Sequence, residues 1–253
     1  MLYATALDIP SRMRFPYHII APGYSKNSAG IRVLHKLNRL LREAGFDSRL
    51  SCDEENSDRD EAVCVYPEIV PGNPLGFRKV ARWDLCYPVH RYAESERVFY
   101  YLEEFHTPAS QATHRLRIFD IEDFFCPPAA ETSRQTDYFF QGKGDVRQQV
   151  NTDGMVEITM GWPASREELA RVFQGCRRFY TCGHTALARE AFYCGAEVVF
   201  CDDLVRQPLQ DRETAQREQE DDLRVFIKET QKEWPAVESV IAPMNPGWET
   251  WVR

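Results

Sequence analysis

Residues 179–200, Phe-Tyr-Thr-Cys-Gly-His-Thr-Ala-Leu-Ala-Arg-Glu-Ala-Phe-Tyr-Cys-Gly-Ala-Glu-Val-Val-Phe, constrain the fold more than any other stretch of this chain. The β-branched and aromatic run 178–182 reads as a strand that Gly183 breaks. Residues 185–193 are helix formers, and Gly195 stands where a C′ glycine ends a helix. Residues 196–201 form a short apolar run of the kind that a parallel sheet buries on both faces. A tight turn between such a strand and helix aims backbone N–H groups and a helix N-terminus at one point, where an anion such as a diphosphate is held. Glu190 falls about one and a half turns into the helix at ~1.5 Å per residue, a distance that suits an acceptor for ribose hydroxyls. The alternative is that any doubly wound α/β protein contains this unit and that Glu190 faces solvent.

The rest of the chain sets the bounds. Its 253 residues suit two domains of about 120 residues each. With 43% apolar and 28% charged residues, it has the composition of an ordinary soluble globular protein. No apolar run approaches the ~20 residues that span a bilayer, so no transmembrane segment is expected. The first ten residues lack a basic stretch followed by an apolar one, which predicts no signal peptide and a cytoplasmic location. The net charge of −8 argues against a broad nucleic-acid or anionic-membrane footprint. Eight cysteines without a C-x-x-C pair read as buried thiols, with disulfides or zinc as the alternatives.

Two α/β series follow one another. In the first, residues 17–22 read as a strand, 23–30 as a loop, and Ile31, Leu34, Leu37, Leu41 and Ala44 as the apolar face of a helix closed by Gly45. Residues 62–66, 98–102 and 116–119 are further strands, and Arg78 and Arg82 lie four apart on an expected helix. The turn formers of 126–134 suggest the boundary, which predicts domains over 1–130 and 131–210 and a helix and tail over 211–253 that pack back toward the first domain. In the second series 138–142 and 156–159 are strands, and Ser165-Arg-Glu-Glu168 is a capping box. Trp248 and Trp251 in the tail call for burial. Alternating strands and helices imply parallel sheets, with ligands beyond the C-terminal strand ends.

Several of these features, in order, resemble bacterial GT-B glycosyltransferases, of the kind grouped as glycosyltransferase groups 1 and 4. They are the loop and helix with Ser28-Ala-Gly30, the turn Tyr66-Pro-Glu-Ile-Val-Pro-Gly-Asn-Pro-Leu75 before Val80-Ala-Arg-Trp83, the Gly142-Lys-Gly144 turn, the Thr185-Ala-Leu-Ala-Arg-Glu-Ala191 helix and the Cys-Gly before the last strand. The resemblance covers residues 17–205. It implies two Rossmann-like domains facing a central cleft, a nucleotide-diphosphate sugar bound by the second and an acceptor held by the first. Glu190 then matches the ribose glutamate, Lys143 a basic residue near the diphosphate, and Gly183, His184 and Thr185 the loop at the phosphates and sugar. Retaining members carry a glutamate eight residues before the ribose glutamate; here that position is Cys182. The chain is short for this fold, which leaves few peripheral helices.

The chemistry of sugar transfer needs positive charge on the departing diphosphate. No clean D-x-D metal motif appears in the second series; Lys143, flanked by Gly142 and Gly144, and the helix N-terminus at Thr185 offer a metal-free alternative, with the nucleotide sugar as co-substrate and no further cofactor. Lys143 is otherwise an exposed lysine. His184 either donates to the diphosphate or a sugar hydroxyl, or caps the turn. Glu68 is either the general base for an acceptor hydroxyl or a structural partner of the loop backbone. Tyr24, Ser25, Ser28 and Gly30, with Arg78 and Arg82, form the acceptor side; for the two arginines a solvated face is the alternative. The acceptor itself stays open among glycan, lipid-linked glycan, protein, small molecule and modified nucleobase. A hexosyltransferase-like enzyme, a catalytically silent GT-B-like module that binds nucleotide or glycan, and a sugar-nucleotide epimerase are the readings that remain.

Overall fold

The structure is a computed structural model that describes residues 14–51, 59–106, 111–130, 133–142, 145–202 and 209–234. Lys143, Gly144, Trp248 and Trp251, all singled out above, lie outside the described residues, as does Cys52. Contacts divide the chain into two compact α/β units. One comprises the residues up to Asp120 together with those from Gln216 onward; the other is Ile121–Ala215. The turn-rich stretch 126–134 belongs to the second unit.

The first unit is built on six parallel strands, β1 (Tyr17–Ile19), β2 (Ser48–Leu50), β3 (Val63–Pro67), β4 (Lys79–Asp84), β5 (Arg97–Tyr100) and β6 (His114–Arg115), in the order β2-β1-β3-β4-β5-β6. Between β1 and β2 runs α1 (Ala29–Glu43). Ser28 caps it, its Oγ accepting from the Ile31 amide at 3.4 Å. At the far end Gly45 adopts a φ of +84°, the left-handed conformation that glycine tolerates. Leu34, Leu37 and Leu41 are buried, each burial being worth about 1.5–3 kcal/mol.

Alternation along the strands divides this unit's core in two. Val63 and Val65 of β3 pack with Ile19, Ala81, Trp83, Phe99 and the leucines of α1. Cys64 and Tyr66 pack on the opposite face with Ile20, Val70, Phe77 and Val80. Connections from β3 to β6 carry no α-helix among the described residues, so the segment 70–77 covers the second face in place of one.

Two expectations are corrected here. Residues 79–84 form a strand, not a helix. Val80 and Ala81 face opposite clusters and every residue of β4 is buried, which a solvated helix would not allow. Arg82 is therefore a core residue. Its guanidinium bonds both carboxylate oxygens of Glu96 at 2.8 and 2.9 Å and the Val70 and Gly72 carbonyls, and it lies on the rings of Tyr66 and Tyr92. Arg78 is exposed just before β4, at the opposite end of a strand about 20 Å long at 3.3 Å per residue, so it is remote from the C-terminal strand ends. Residues 116–119 also form no strand: the ladder ends at Arg115, although Leu116 and Ile118 are buried in the core.

The second unit has four parallel strands, β7 (Thr136–Phe140), β8 (Val156–Glu157), β9 (Cys176–Thr181) and β10 (Glu197–Phe200), in the order β10-β9-β7-β8. Its helices are α2 (Val146–Gln149), α3 (Arg166–Gln174) and α4 (Ala186–Tyr193). Ser165 caps α3, its Oγ accepting from the Glu168 amide at 3.1 Å, while Glu168 accepts from the Ala164 amide at 2.9 Å. Phe125, Leu169, Phe173, Phe179, Ala188 and Ala191 form the core.

The chain leaves this unit through α5 (Arg212–Thr230). Arg212 bonds the Glu122 and Phe125 carbonyls of the second unit. Leu223, Phe226 and Ile227 are buried in the core of the first.

Candidate functional site

The strands of the second unit are parallel, so the turns after β7, β9 and β10 leave the sheet at one edge. Phe140 of β7 and Phe200 of β10 both register with Thr181 of β9. The Gly142 turn, the turn 182–185 and Cys201-Asp202 are thus neighbours. Gly142 admits no side chain: its φ is +22°, and a Cβ would lie 2.0 Å from the Phe140 ring. Thr181 Oγ1 donates to the Gly183 carbonyl at 3.4 Å and holds the second turn to the strand.

Thr185 ends that turn with extended backbone and caps α4. Its Oγ1 accepts from the Leu187 amide and its carbonyl from the Ala188 amide, both at 3.3 Å, long for such bonds. At the far end Gly195, at a φ of +84°, donates to the Phe192 carbonyl while Ala196 donates to Ala191, the paired bonds of a left-handed C-terminal cap. A helix N-terminus therefore stands at the end of a central parallel strand, with its partial positive charge toward the turn. His184 is half-buried beside it.

Cys182 is buried in an apolar cluster with Phe139 and Val146. Burial raises its thiol pKa, and the nearby carboxylates of Asp202 and Asp145 add to that rise. Two carboxylates therefore flank the turn. Among the described residues no group of three or more His, Cys, Asp or Glu side chains is placed to hold a metal ion.

Glu190 is fully buried. Its Oε1 accepts from Arg166 Nη2 at 2.8 Å, and the same guanidinium grips both oxygens of Glu122 at 3.0 and 2.6 Å while stacking on Phe125. Burial works against the charge on Arg166, but hydrogen bonding to Glu122 and the charge of Glu190 outweigh it and raise its pKa. The pair ties α4 to the first residue of α3. Neither partner stands out in the sequence: Arg166 and Glu190 are 24 residues apart, and nothing local marks them as a pair.

No known protein family, curated protein or solved structure matches this chain. The likeness to GT-B enzymes rests on the ordered motifs alone. No helix among the described residues is long and apolar enough to cross a membrane.

In the first unit, the strand order reverses between β1 and β3, the point at which doubly wound sheets open a crevice at their C-terminal edge. Around it lie the β1–α1 loop and Glu68. Tyr24 is exposed, with its ring edge on His35, whose Nε2 is 2.9 Å from the Pro22 carbonyl. The Ser25 carbonyl accepts from the Ser28 amide at 3.3 Å, and a Cβ added at Gly30 would meet Leu85 only at ordinary contact distance. Glu68 is buried and accepts from the Leu85 amide at 3.1 Å, which is the loop-supporting role. The adjoining Asp84 accepts from the Tyr92 hydroxyl at 2.5 Å. Burial raises the Tyr92 pKa, and that bond raises it further. Sequence reasoning missed Asp84 because the strand that places it was read as a helix, and Tyr92 because it reaches Asp84 from the connection between β4 and β5.

Proposed function

We propose that the chain is a glycosyltransferase that uses a nucleotide-diphosphate sugar, with the donor diphosphate seated at the turn between β9 and α4. The observation that carries this reading is the meeting of two glycine turns with the capped N-terminus of α4 at one edge of a parallel sheet. The amide groups of that turn bind the phosphates, and His184 donates beside them. Lys143, between Gly142 and Gly144, stabilises charge on the departing diphosphate. Glu190 contributes by holding α4 through Arg166, and the β1–α1 loop with Tyr24, Ser25 and Ser28 recognises the acceptor.

A second reading is a silent module that binds nucleotide or glycan without transfer. It is favoured by Cys182, which packs in an apolar cluster where retaining enzymes carry a glutamate.

Nucleoside diphosphate sugars offered one at a time, with release of the diphosphate followed, separate the two. Turnover supports the transferase, and binding without turnover supports the silent module. The transferase reading expects activity to survive excess chelator and Lys143→Ala to slow transfer on the order of 10²-fold, as loss of one preorganised donor does. Activity that disappears with chelator and returns with magnesium would overturn the metal-free assignment.

A further inference from the structure

Cys182 and Cys201 each stand one residue beyond paired strands. Thr181 registers with Phe200, and the Cys201 amide donates to the Thr181 carbonyl at 2.9 Å, so the ladder carries on into these two residues. Neighbouring strands lie about 4.8 Å apart and registered residues point to the same face. That separation falls inside the span of roughly 4.4–6.8 Å between Cα atoms that a disulfide bridges. Both side chains belong to one small cluster with Phe139, Val146 and Tyr180. Each thiol shifts the titration of the other, as groups in close proximity do. Cys182 is buried and Cys201 half-buried, so a small reagent reaches Cys201 first.

We propose that Cys182 and Cys201 are a site of reversible oxidation, a dithiol that closes to a disulfide and clamps the start of the turn 182–185 to the end of β10. Its consequence for ligand binding rests on the diphosphate reading above; the closure itself does not. The oxidant is a low-molecular-weight disulfide. The Cys201 thiolate attacks one of its sulfurs, the S–S bond breaks and one thiolate leaves. The Cys182 thiolate then attacks the Cys201 sulfur of the mixed disulfide and expels the second thiolate. The two protons lost by the protein thiols go to the two released thiolates, so the protein is oxidised by two electrons and the reagent reduced by two.

The pair stays reduced under mild conditions. Burial lifts the Cys182 thiol above its ordinary range, and burial, with Cys182 beside it, pushes Cys201 up to about 12. The thiolate is the nucleophile, so closure accelerates roughly tenfold per unit of pH while both groups are mostly protonated.

The test is incubation of the full chain with oxidised glutathione at several pH values, followed by non-reducing peptide mapping. A linked pair of peptides containing Cys182 and Cys201, formed faster as pH rises, reversed by a reducing thiol and absent from Cys201→Ser, is the expected result. If this link does not form at alkaline pH, whether or not glutathione adds to Cys201, or if Cys182 links to a different cysteine, the proposal fails. Mapping of the wild-type chain alone decides this, should the variant not fold. Closure in the presence of a nucleoside diphosphate is a separate arm. A slower rate supports the ligand site at the turn, while an unchanged rate counts against that site and leaves the dithiol assignment intact.

Discussion

Glu190 shows how one side chain can carry the family likeness and still be fixed by packing. The carboxylate is fully buried against Arg166, which Glu122 also holds. Removing one partner of a buried pair strands the other, so Glu190→Ala is expected to cost the second unit about 3 kcal/mol, the low end for such losses because Glu122 remains. Glu190→Gln, which keeps an acceptor for Arg166, should cost less. Urea unfolding of the second unit measures both. A neighbouring pair gives a pH signature. Arg177 bonds both oxygens of Asp137 at 2.7 and 2.6 Å and, chiefly through those bonds, holds its carboxyl below the ordinary 3.8. A depressed folded pKa means stability that is complete above the ordinary value and lost as pH falls through the lower one. Wild type should therefore lose stability relative to Asp137→Asn below about pH 4, with the two curves parallel above it; unfolding midpoints across that range check this.

At the scale of elements, the ends of helices were legible and their partners were not. Ser165 caps as its capping box indicated, and Gly45 and Gly195 end helices in the left-handed conformation, because caps are settled within a few residues of chain. β4 was misread because Val80-Ala-Arg-Trp83 is too short to show a period, and its arginine suggested a wet face. What burial demands of Arg82 is Glu96, fourteen residues on, which no local pattern signals. One face of α5, with Leu223, Phe226 and Ile227, is deep in the core of the first unit, and its partners are distant in sequence. Arg115 grips Asp222 through both oxygens, Phe119 N–H donates to Gln219, and Phe226 stacks on Tyr17 and meets Phe99 edge to face. Phe226→Ala is expected to cost the first unit about 3–5 kcal/mol, as loss of a buried aromatic does, and calorimetric unfolding would register it as a lowered transition for that unit.

At the scale of the molecule, the parallel α/β class followed from the alternation of apolar runs and helices. The strand orders did not, because order is a matter of crossovers between residues far apart in sequence. The reversal between β1 and β3, which places the Tyr24 loop and Glu68 at a sheet's switch point, emerges only from the fold. Of the candidate site, the turn and the helix start at 183–185 were legible because both lie in one continuous stretch. The central claim is that this turn holds a diphosphate. The most direct measurement is a titration of the isotopically labelled chain with nucleoside diphosphates, followed by amide chemical shifts. The expected result is saturable shifts concentrated at Gly183, His184, Thr185 and the first turn of α4. Shifts that cluster in the first unit instead, or none at millimolar nucleotide, would contradict the account.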